Sequence, residues 1–441
     1  MKTSGDAEDA DRWKLAVWEE VEDPGGWHRQ TELRIGATRN SKVGEIGEEY
    51  ANFVYWMREL ARQPTKVDSH QLSDCVDELV RLTGNLGQPA DAEDVDAVLR
   101  DAIATQSAAG APVSALHLAR ASYLGTISAE SPERGQAIDA AVQTAEPDSP
   151  DWGAAMIAKC AYEVSVSRYN AAIRTARELL RAVERGLDPI FECGALTHQG
   201  TALFTSFQDL KEAERLLLRA VAFAPQARSN VRVARWVATA YHYLGRIAEA
   251  RGDDANCLSL YLLGKEYQDR CPQELEADAF LQLRLSEPLA NANLLELAED
   301  HLDEAASLAR TGAHKGSAGV QVDIGYATLE AKKGNLTKAE EDGQKARQRC
   351  RDIAFRRGEL LCLGFLFTIR CKRRHFLRAG LTLARIVPTL VTGELRRNNL
   401  LKLWVNIPVL FRLAFRRVSR AVGKRPAVKT PTGCPCPLHG R

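Results

Sequence analysis

The chain has 441 residues, of which 45% are hydrophobic and 27% are charged, as in an ordinary globular protein. Its 59 Lys and Arg residues nearly balance 58 Asp and Glu residues, so the formal net charge is +1 at pH 7. No stretch reaches the roughly 18 apolar residues that a membrane-spanning helix needs, which excludes an integral helical membrane protein.

The charges are unevenly distributed along the chain. Residues 345–441 contain 23 Lys and Arg against 3 Asp and Glu, which gives this part about +20. Residues 1–344 therefore carry about −19. The chain has an acidic first part and a strongly basic end.

The beginning of the chain and its cysteines bear on localisation. The first 23 residues are acidic and lack the basic and apolar parts of a secretory signal. The ten cysteines are scattered singly, which is typical of reduced core residues rather than of a disulfide framework. We therefore expect a cytoplasmic protein.

Residues 1–108 precede the periodic part of the chain. Apolar periodicity predicts helices over residues 46–60 and 72–82, and we interpret the region as an acidic N-terminal helical cap. Gly84 and Gly87 interrupt the one candidate helix-turn-helix. Because the region is also acidic, it is not expected to bind DNA.

A small residue recurs through the rest of the chain at intervals of 35, 41, 44, 48, 34 and 40 residues. These seven positions are Ala137, Ala172, Ala213, Cys257, Ala305, Ala339 and Ala379. A period of this size predicts stacked helical hairpins, in which each unit buries its apolar face against its neighbours.

One unit carries the pattern most completely. Gly200 and Phe204 fall on its first predicted helix, Ala213 and Ala220 on its second, and Pro225 closes it. The small residues allow two helices to cross closely, and proline stops the second helix. The unit resembles the tetratricopeptide repeat (TPR), and the longer units resemble those of bacterial, for instance actinobacterial, regulatory solenoids.

The resemblance implies an all-α fold: a right-handed α-solenoid of TPR-like helix-turn-helix hairpins, with an N-terminal helical cap and a flexible basic C-terminal tail. The predicted parts are an acidic cap over residues 1–108, about seven repeats over 109–390, amphipathic capping helices over 391–423 and a disordered tail over 424–441.

First helices of TPR-like hairpins line a concave groove that holds a peptide or protein partner. The candidate groove residues are polar, cationic or aromatic, and Trp236 is the candidate anchor. They are Arg168, His198, Thr201, Thr205, Arg235, Trp236, Thr239 and His242.

The basic end suggests other partners. A predicted basic patch contains Arg356, Arg357, Arg370, Lys372, Arg373, Arg374 and Arg378. Its alternatives are a solvated outer face, an acidic protein face and, less favoured, nucleic acid. Residues 400–422 form an amphipathic pattern that fits either a terminal capping helix or a helix lying on an anionic membrane.

The tail holds Cys434, Cys436 and His439 within six residues. Cysteine and histidine are common zinc ligands, but the Cys-x-Cys spacing is poor for chelation. The favoured interpretation is a disordered tail, with zinc binding or reversible thiol chemistry as the alternatives, and no other cofactor is expected.

No catalytic motif appears: the chain lacks a phosphate-binding glycine loop, a nucleophile elbow and a His-Glu-x-x-His pattern. The sequence predicts a non-enzymatic scaffold or regulator that binds a protein or peptide, with self-association through its opposite charges as a further expectation. The alternative is a nucleic-acid-associated or membrane-peripheral regulator that acts through residues 345–430.

Overall fold

The computed structural model describes Val76, Val80 and residues 92–391, except residues 128–129, 207, 272–274, 312–316 and 353–355. Most of the predicted cap, the predicted capping helices beyond residue 391, residues 400–422 and the Cys434, Cys436 and His439 tail lie outside the described residues.

The described residues from 92 to 391 form fifteen α-helices and no strand. They are α1 Ala92–Ala108, α2 Ser114–Ile127, α3 Pro132–Thr144, α4 Pro150–Ser165, α5 Tyr169–Arg185, α6 Ile190–Thr205, α7 Leu210–Val221, α8 Val231–Arg251, α9 Asp254–Gln268, α10 Leu275–Asn291, α11 Leu295–Thr311, α12 Ser317–Lys333, α13 Leu336–Asp352, α14 Arg356–Lys372 and α15 Phe376–Val391.

The chain divides into two compact units, Met1–Tyr162 and Glu163–Arg441. In the first unit, α2 and α3 form an antiparallel hairpin, and Ser114 at the start of α2 donates to the Ala141 carbonyl near the end of α3 at 2.9 Å. In the second unit, helices pair successively as α6/α7, α8/α9, α10/α11, α12/α13 and α14/α15. The predicted all-α, TPR-like fold is confirmed.

One type of turn joins the helices of the five pairs of the second unit, and also joins α4 to α5. The residue just before the second helix, or its neighbour, donates its N–H to the carbonyl five residues earlier, at 2.7 to 3.2 Å. This is the Schellman arrangement, which satisfies carbonyls left open at a helix end. The donors, called turn donors below, are Arg168, Gln208, Asp253, Leu294, Asn335 and His375.

The turn places one residue in the left-handed region. Gly252 and Gly334 adopt φ of 83° and 93°, which glycine does without steric cost. Ser167, Asn293 and Arg374 adopt φ of about 60° at the same point of their turns. All five turns therefore require a left-handed residue at this point, although the type of residue differs between them.

The helix starts correct the predicted repeat register in two units. In each second helix, the fourth residue donates its N–H to the residue that precedes the helix. In α11 that residue is Ala298, not Ala305, and in α3 it is Gly135, not Ala137. The sequence pattern was displaced because Ala137 and Ala305 are also small and buried.

With these two changes the repeat becomes more regular. The equivalent positions Gly135, Ala172, Ala213, Cys257, Ala298, Ala339 and Ala379 are separated by 37, 41, 44, 41, 41 and 40 residues. The repeat therefore follows a period of about 40 residues, longer than the TPR norm of about 34.

Close helix crossings explain two glycines of the hairpins. A Cβ added to Gly200 of α6 would lie 2.7 Å from Leu217 of α7, and one added to Gly245 of α8 would lie 2.5 Å from the Tyr261 ring of α9. A glycine allows these helices to approach where any larger residue would separate them.

Candidate functional site

Helix α10 shows which side of the first helices remains open. Between residues 279 and 291 all side chains are buried except those of Phe280, Arg284, Glu287 and Asn291. Their spacing of four, three and four residues places them on one stripe of the helix. They lie 14, 10, 7 and 3 residues before the turn donor Leu294.

The same four positions of α6, α8, α12 and α14 form corresponding stripes, and most of their side chains are half-buried. The set on α6 to α14 is called the first-helix strip. Besides the α10 residues it contains Gly194, His198, Thr201, Thr205, Thr239, Tyr243, Arg246, Ala250, Gln321, Gly325, Thr328, Lys332, Leu361, Phe365, Thr368 and Lys372.

Contacts join the stripes of neighbouring first helices. The Arg284 guanidinium of α10 donates to Gln321 of α12 at 3.4 Å. The Arg246 guanidinium of α8 lies 5.0 Å from the ring of Phe204 on α6 and 5.7 Å from that of Tyr243. Such placement over aromatic rings attracts a cation to the ring faces and orients it.

Two threonines on α6 have unusual hydroxyl groups. The hydroxyls of Thr239, Thr328 and Thr368 each donate to the carbonyl four residues earlier. By contrast, Thr201 Oγ1 and Thr205 Oγ1 are buried atoms with no hydrogen-bond partner among the described residues. Thr201 is 4% exposed. A buried polar atom without a partner costs about 1–3 kcal/mol, so these hydroxyls favour an incoming polar group.

The strip contains one neutral histidine and two adjacent lysines. Burial lowers the pKa of His198 to about 4, so its imidazole is neutral at physiological pH. Burial, and then the charge of Lys332, lower the pKa of Lys372. Lys332 of α12 and Lys372 of α14 hold the same position in their helices, 3 residues before the turn donor.

The structure separates the predicted groove residues. His198, Thr201, Thr205 and Thr239 lie on the first-helix strip. Arg235 is exposed in the first turn and a half of α8, one turn before Thr239. The sequence analysis missed Arg246, Arg284, Gln321 and Lys332. Their positions on the strip follow from counting back from the turn donor of each hairpin.

Three of the predicted residues lie elsewhere. Trp236 is 9% exposed, so it is a core residue and not the exposed anchor that the sequence predicted. Arg168 precedes α5 in a turn and is not on a first helix. His242 is turned towards α9, where its ring lies 5.6 Å from that of Tyr261.

The predicted basic patch is partly neutralised. Glu340 of α13, whose side chain is 3% exposed, accepts from Arg370 at 2.8 Å and from Arg373 at 2.6 Å. Arg374 lies in the α14/α15 turn and Lys372 on the first-helix strip. These cations therefore do not form one surface.

The other three residues of the predicted patch lie on α14 and α15. Arg378 is exposed on α15, while Arg356 and Arg357 begin α14 with side chains outside the description. Within the described part of the chain, no group of three His, Cys, Asp or Glu residues is arranged to hold a metal ion. None of the described helices is long and apolar enough to cross a membrane.

Among known proteins, similarity is found only to solved structures, at low sequence identity. No protein-family model matches the chain, and no curated protein matches it. A Rap protein solved in complex with competence and sporulation factor is similar, with a TM-score of 0.47 and 12% identity over 86% of this chain and 99% of that one.

Two further solved structures are similar to the chain. The STAND signal-transduction ATPase with a tetratricopeptide repeat sensor from Pyrococcus horikoshii has a TM-score of 0.44 and 14% identity, over 79% of this chain and 53% of that one. Yeast Tom70 has a TM-score of 0.42 and 14% identity, over 74% of this chain and 60% of that one. The hairpins, turns and recurring small residues define this chain as a TPR-like helical repeat protein.

Proposed function

We propose that this chain is a non-enzymatic interaction protein of the cytoplasm, which binds an extended segment of a protein or peptide along the first-helix strip. The observation that carries the proposal is the recurrence of the strip on five successive first helices, of which α6 packs against α8, and α12 packs against both α10 and α14. Its described residues have polar or aromatic side chains, apart from two glycines, one alanine and Leu361. Such a surface suits an extended chain with its own backbone donors and acceptors.

The polar atoms of the strip indicate how a peptide would be held. The unpartnered hydroxyls of Thr201 and Thr205 can each donate to a carbonyl or accept from an amide. Binding there would satisfy buried atoms, which is more favourable than exchanging one hydrogen bond with water for another. The peptide backbone is therefore proposed to lie against α6.

The charged atoms of the strip favour an acidic partner. Its cations are Arg246, Arg284, Lys332 and Lys372, and its one acidic residue is Glu287, 3.6 Å from Arg284. A partner with carboxylates opposite the lysines of α12 and α14 would reduce their mutual repulsion. The proposed partner is a peptide or protein segment with acidic side chains towards the α14 end.

The test compares capture of partners by matched variants. Tagged full-length protein, Thr201→Val/Thr205→Val and the control Thr144→Val are purified after nuclease treatment, and bound proteins are identified by mass spectrometry. Thr144 is an exposed threonine of α3 whose hydroxyl already bonds the Ala140 carbonyl. The proposal expects a defined partner with wild type and control, and at least a tenfold loss with the double variant.

The alternative function, nucleic-acid or membrane association through residues 345–430, is separated by truncation after Asn399. A parallel purification without nuclease, with extraction of lipid and nucleic acid, tests it: if either is the companion and truncation removes it, while the α6 double variant retains it, the groove proposal is wrong. The pairing of Arg370 and Arg373 with Glu340 weakens the alternative, because paired cations attract phosphates less strongly.

A further inference from the structure

Two cysteines face each other where α13 packs against α14. Cys350 lies in the last turn of α13, and Cys362 lies in the second turn of α14. Their Sγ atoms are 3.8 Å apart, and the two residues are 1% and 0% exposed. The pair belongs to neither the first-helix strip nor its contacts.

The two sulfur atoms lie in an apolar core cluster, and charged groups of the α13–α14 interface, among them Glu359, act on both. Val320, Ala346 and Ile324 complete this core cluster with the cysteines. The α13–α14 interface joins two successive hairpins, α12/α13 and α14/α15. A covalent bond at this point would therefore connect one hairpin to the next.

We propose that Cys350 and Cys362 form an intramolecular disulfide when the protein meets a peroxide. A disulfide requires the sulfur atoms at about 2.05 Å, so they must approach by less than 2 Å from their present contact. Rotation of two cysteine side chains on helices that already pack together supplies a movement of this size.

The first step would produce a sulfenic acid. Contact with Cys362 lowers the pKa of the Cys350 thiol, because the neighbouring S–H can donate to the thiolate. The Cys350 thiolate attacks one peroxide oxygen: an S–O bond forms and the O–O bond breaks. The hydroxide that leaves takes up the proton released by Cys350 and becomes water.

The second step would form the disulfide. Cys362 sulfur attacks Cys350 sulfur, an S–S bond forms, and the S–O bond breaks. The departing hydroxide takes the Cys362 proton as a second water. Over both steps the two sulfurs lose two electrons, and hydrogen peroxide gains them as it becomes two waters.

The oxidant reaches the buried pair only when the packing opens locally. Cys350 lies in the last turn of α13, and helix ends open more readily than helix centres. After oxidation the hairpins α12/α13 and α14/α15 would be tied to each other. Because α12 and α14 both carry the first-helix strip, the bond would restrict movement of one part of the strip relative to the next.

The experiment maps disulfides in the full-length protein. Purified reduced protein is titrated with hydrogen peroxide, alkylated under denaturing conditions and cleaved after Lys and Arg. This cleavage places Cys350, Cys362 and Cys371 in three separate peptides. We expect the Cys350 and Cys362 peptides to appear as one linked species, 2 Da lighter than the two thiol peptides together, and dithiothreitol to release it.

Matched variants and a melting measurement complete the test. Cys371→Ser, on the same helix α14, should still form the link, whereas Cys350→Ser should leave Cys362 alkylated. The linked wild-type protein should melt a few degrees higher than the reduced protein. Recovery of alkylated Cys362 while other cysteines become oxidised, or a link from Cys362 to a different cysteine, would overturn the proposal. Because the mapping uses wild-type protein, it does not depend on the folding of any variant.

Discussion

At the scale of single residues, Glu340 neutralises part of the predicted basic patch. Its carboxylate is buried and accepts hydrogen bonds from Arg370 and Arg373. Burial by itself raises the pKa of Glu340, but the hydrogen bonds and charges of the two arginines outweigh it and lower that pKa. A cluster that is basic in sequence is therefore partly a structural ion-pair network.

The first prediction concerns removal of that carboxylate. Glu340→Gln leaves two arginines without their anion, and we expect the free energy of unfolding to fall by about 2–4 kcal/mol at pH 7. Chemical denaturation at several pH values measures it. The control Glu212→Gln, which removes an exposed pair with Arg215, should change little.

The pH dependence of this loss has a definite sign. The folded-state pKa of Glu340 is lowered, so its contribution is present above the usual value of 4.5 and disappears as pH falls through the folded-state pKa. The stability difference between wild type and Glu340→Gln should therefore narrow as pH falls below the usual value of 4.5. An equal difference at pH 7 and at pH 3 would contradict the ion-pair interpretation.

The second prediction concerns the half-buried ammonium of Lys372. Lys372→Met keeps most of the aliphatic side chain and removes repulsion from Lys332, so the melting temperature should rise by roughly 1 °C at pH 7. Because the folded-state pKa of Lys372 is lowered, wild type becomes more stable as pH rises from that pKa towards the usual 10.5. The advantage of the variant should therefore shrink in this interval.

A matched lysine separates this effect from a general effect of removing charge. Lys338 is 61% exposed in its side chain and pairs with Glu330 at 3.1 Å. Lys338→Met should not raise the melting temperature. The Lys372 variant should also bind an acidic partner less tightly, so that its stability and affinity change in opposite directions. A fall in melting temperature on Lys372→Met would count against the assigned repulsion.

At the scale of elements, the hairpins depend on how closely two helices can approach. In α8/α9 the Tyr261 ring occupies the space that a Cβ at Gly245 would need, so the close approach requires glycine. The turns depend on a different property, a left-handed residue, which Gly252 and Gly334 provide directly. The repeat is therefore maintained by sterics at crossings and by backbone conformation at turns.

The third prediction compares two glycines inside first helices. Gly245→Ala places a methyl group 2.5 Å from the Tyr261 ring, and we expect a loss of about 1–3 kcal/mol in unfolding free energy. Gly364→Ala on α14 meets nothing within 4 Å and should be neutral or stabilising by up to about 1 kcal/mol. Thermal and urea unfolding measure both. A destabilisation of similar size in the two variants would exclude the packing explanation.

At the scale of the whole molecule, the distribution of charge is the dominant feature of the sequence. Residues 345–441 carry about +20 and the preceding residues about −19. Opposite charge on two parts of one chain favours contact between the basic part of one copy and the acidic part of another. Salt weakens such contacts because the Debye length is about 8 Å at physiological ionic strength.

The fourth prediction follows from this charge distribution. Sedimentation velocity at 20 mM salt should show a larger mean mass as protein concentration rises, and 300 mM salt should reverse the increase. Truncation after Asn399 removes nine of the 23 cations of residues 345–441 and no acidic residue, so it should weaken the association. Association that persists unchanged at high salt would indicate an apolar interface instead.

The sequence by itself determined the class of fold, because its signals are local. A small residue every 40 or so positions and glycines at crossings reflect contacts within one hairpin, and they repeat along the chain. Four predicted groove residues, among them Thr201 and Thr239, fall on the first-helix strip for the same reason. The register failed in two units, where the sequence pattern gave the buried alanines Ala137 and Ala305 the position that Gly135 and Ala298 hold.

Only the tertiary structure decided what depends on neighbouring hairpins. The burial of Trp236, the two arginines on Glu340 and the contact of Cys350 with Cys362 each join separate helices. Helical periodicity gives the stripe on which a residue lies, but not which helix packs against that stripe. Exposure and pairing are properties of that packing, so they became visible only with the assembled hairpins.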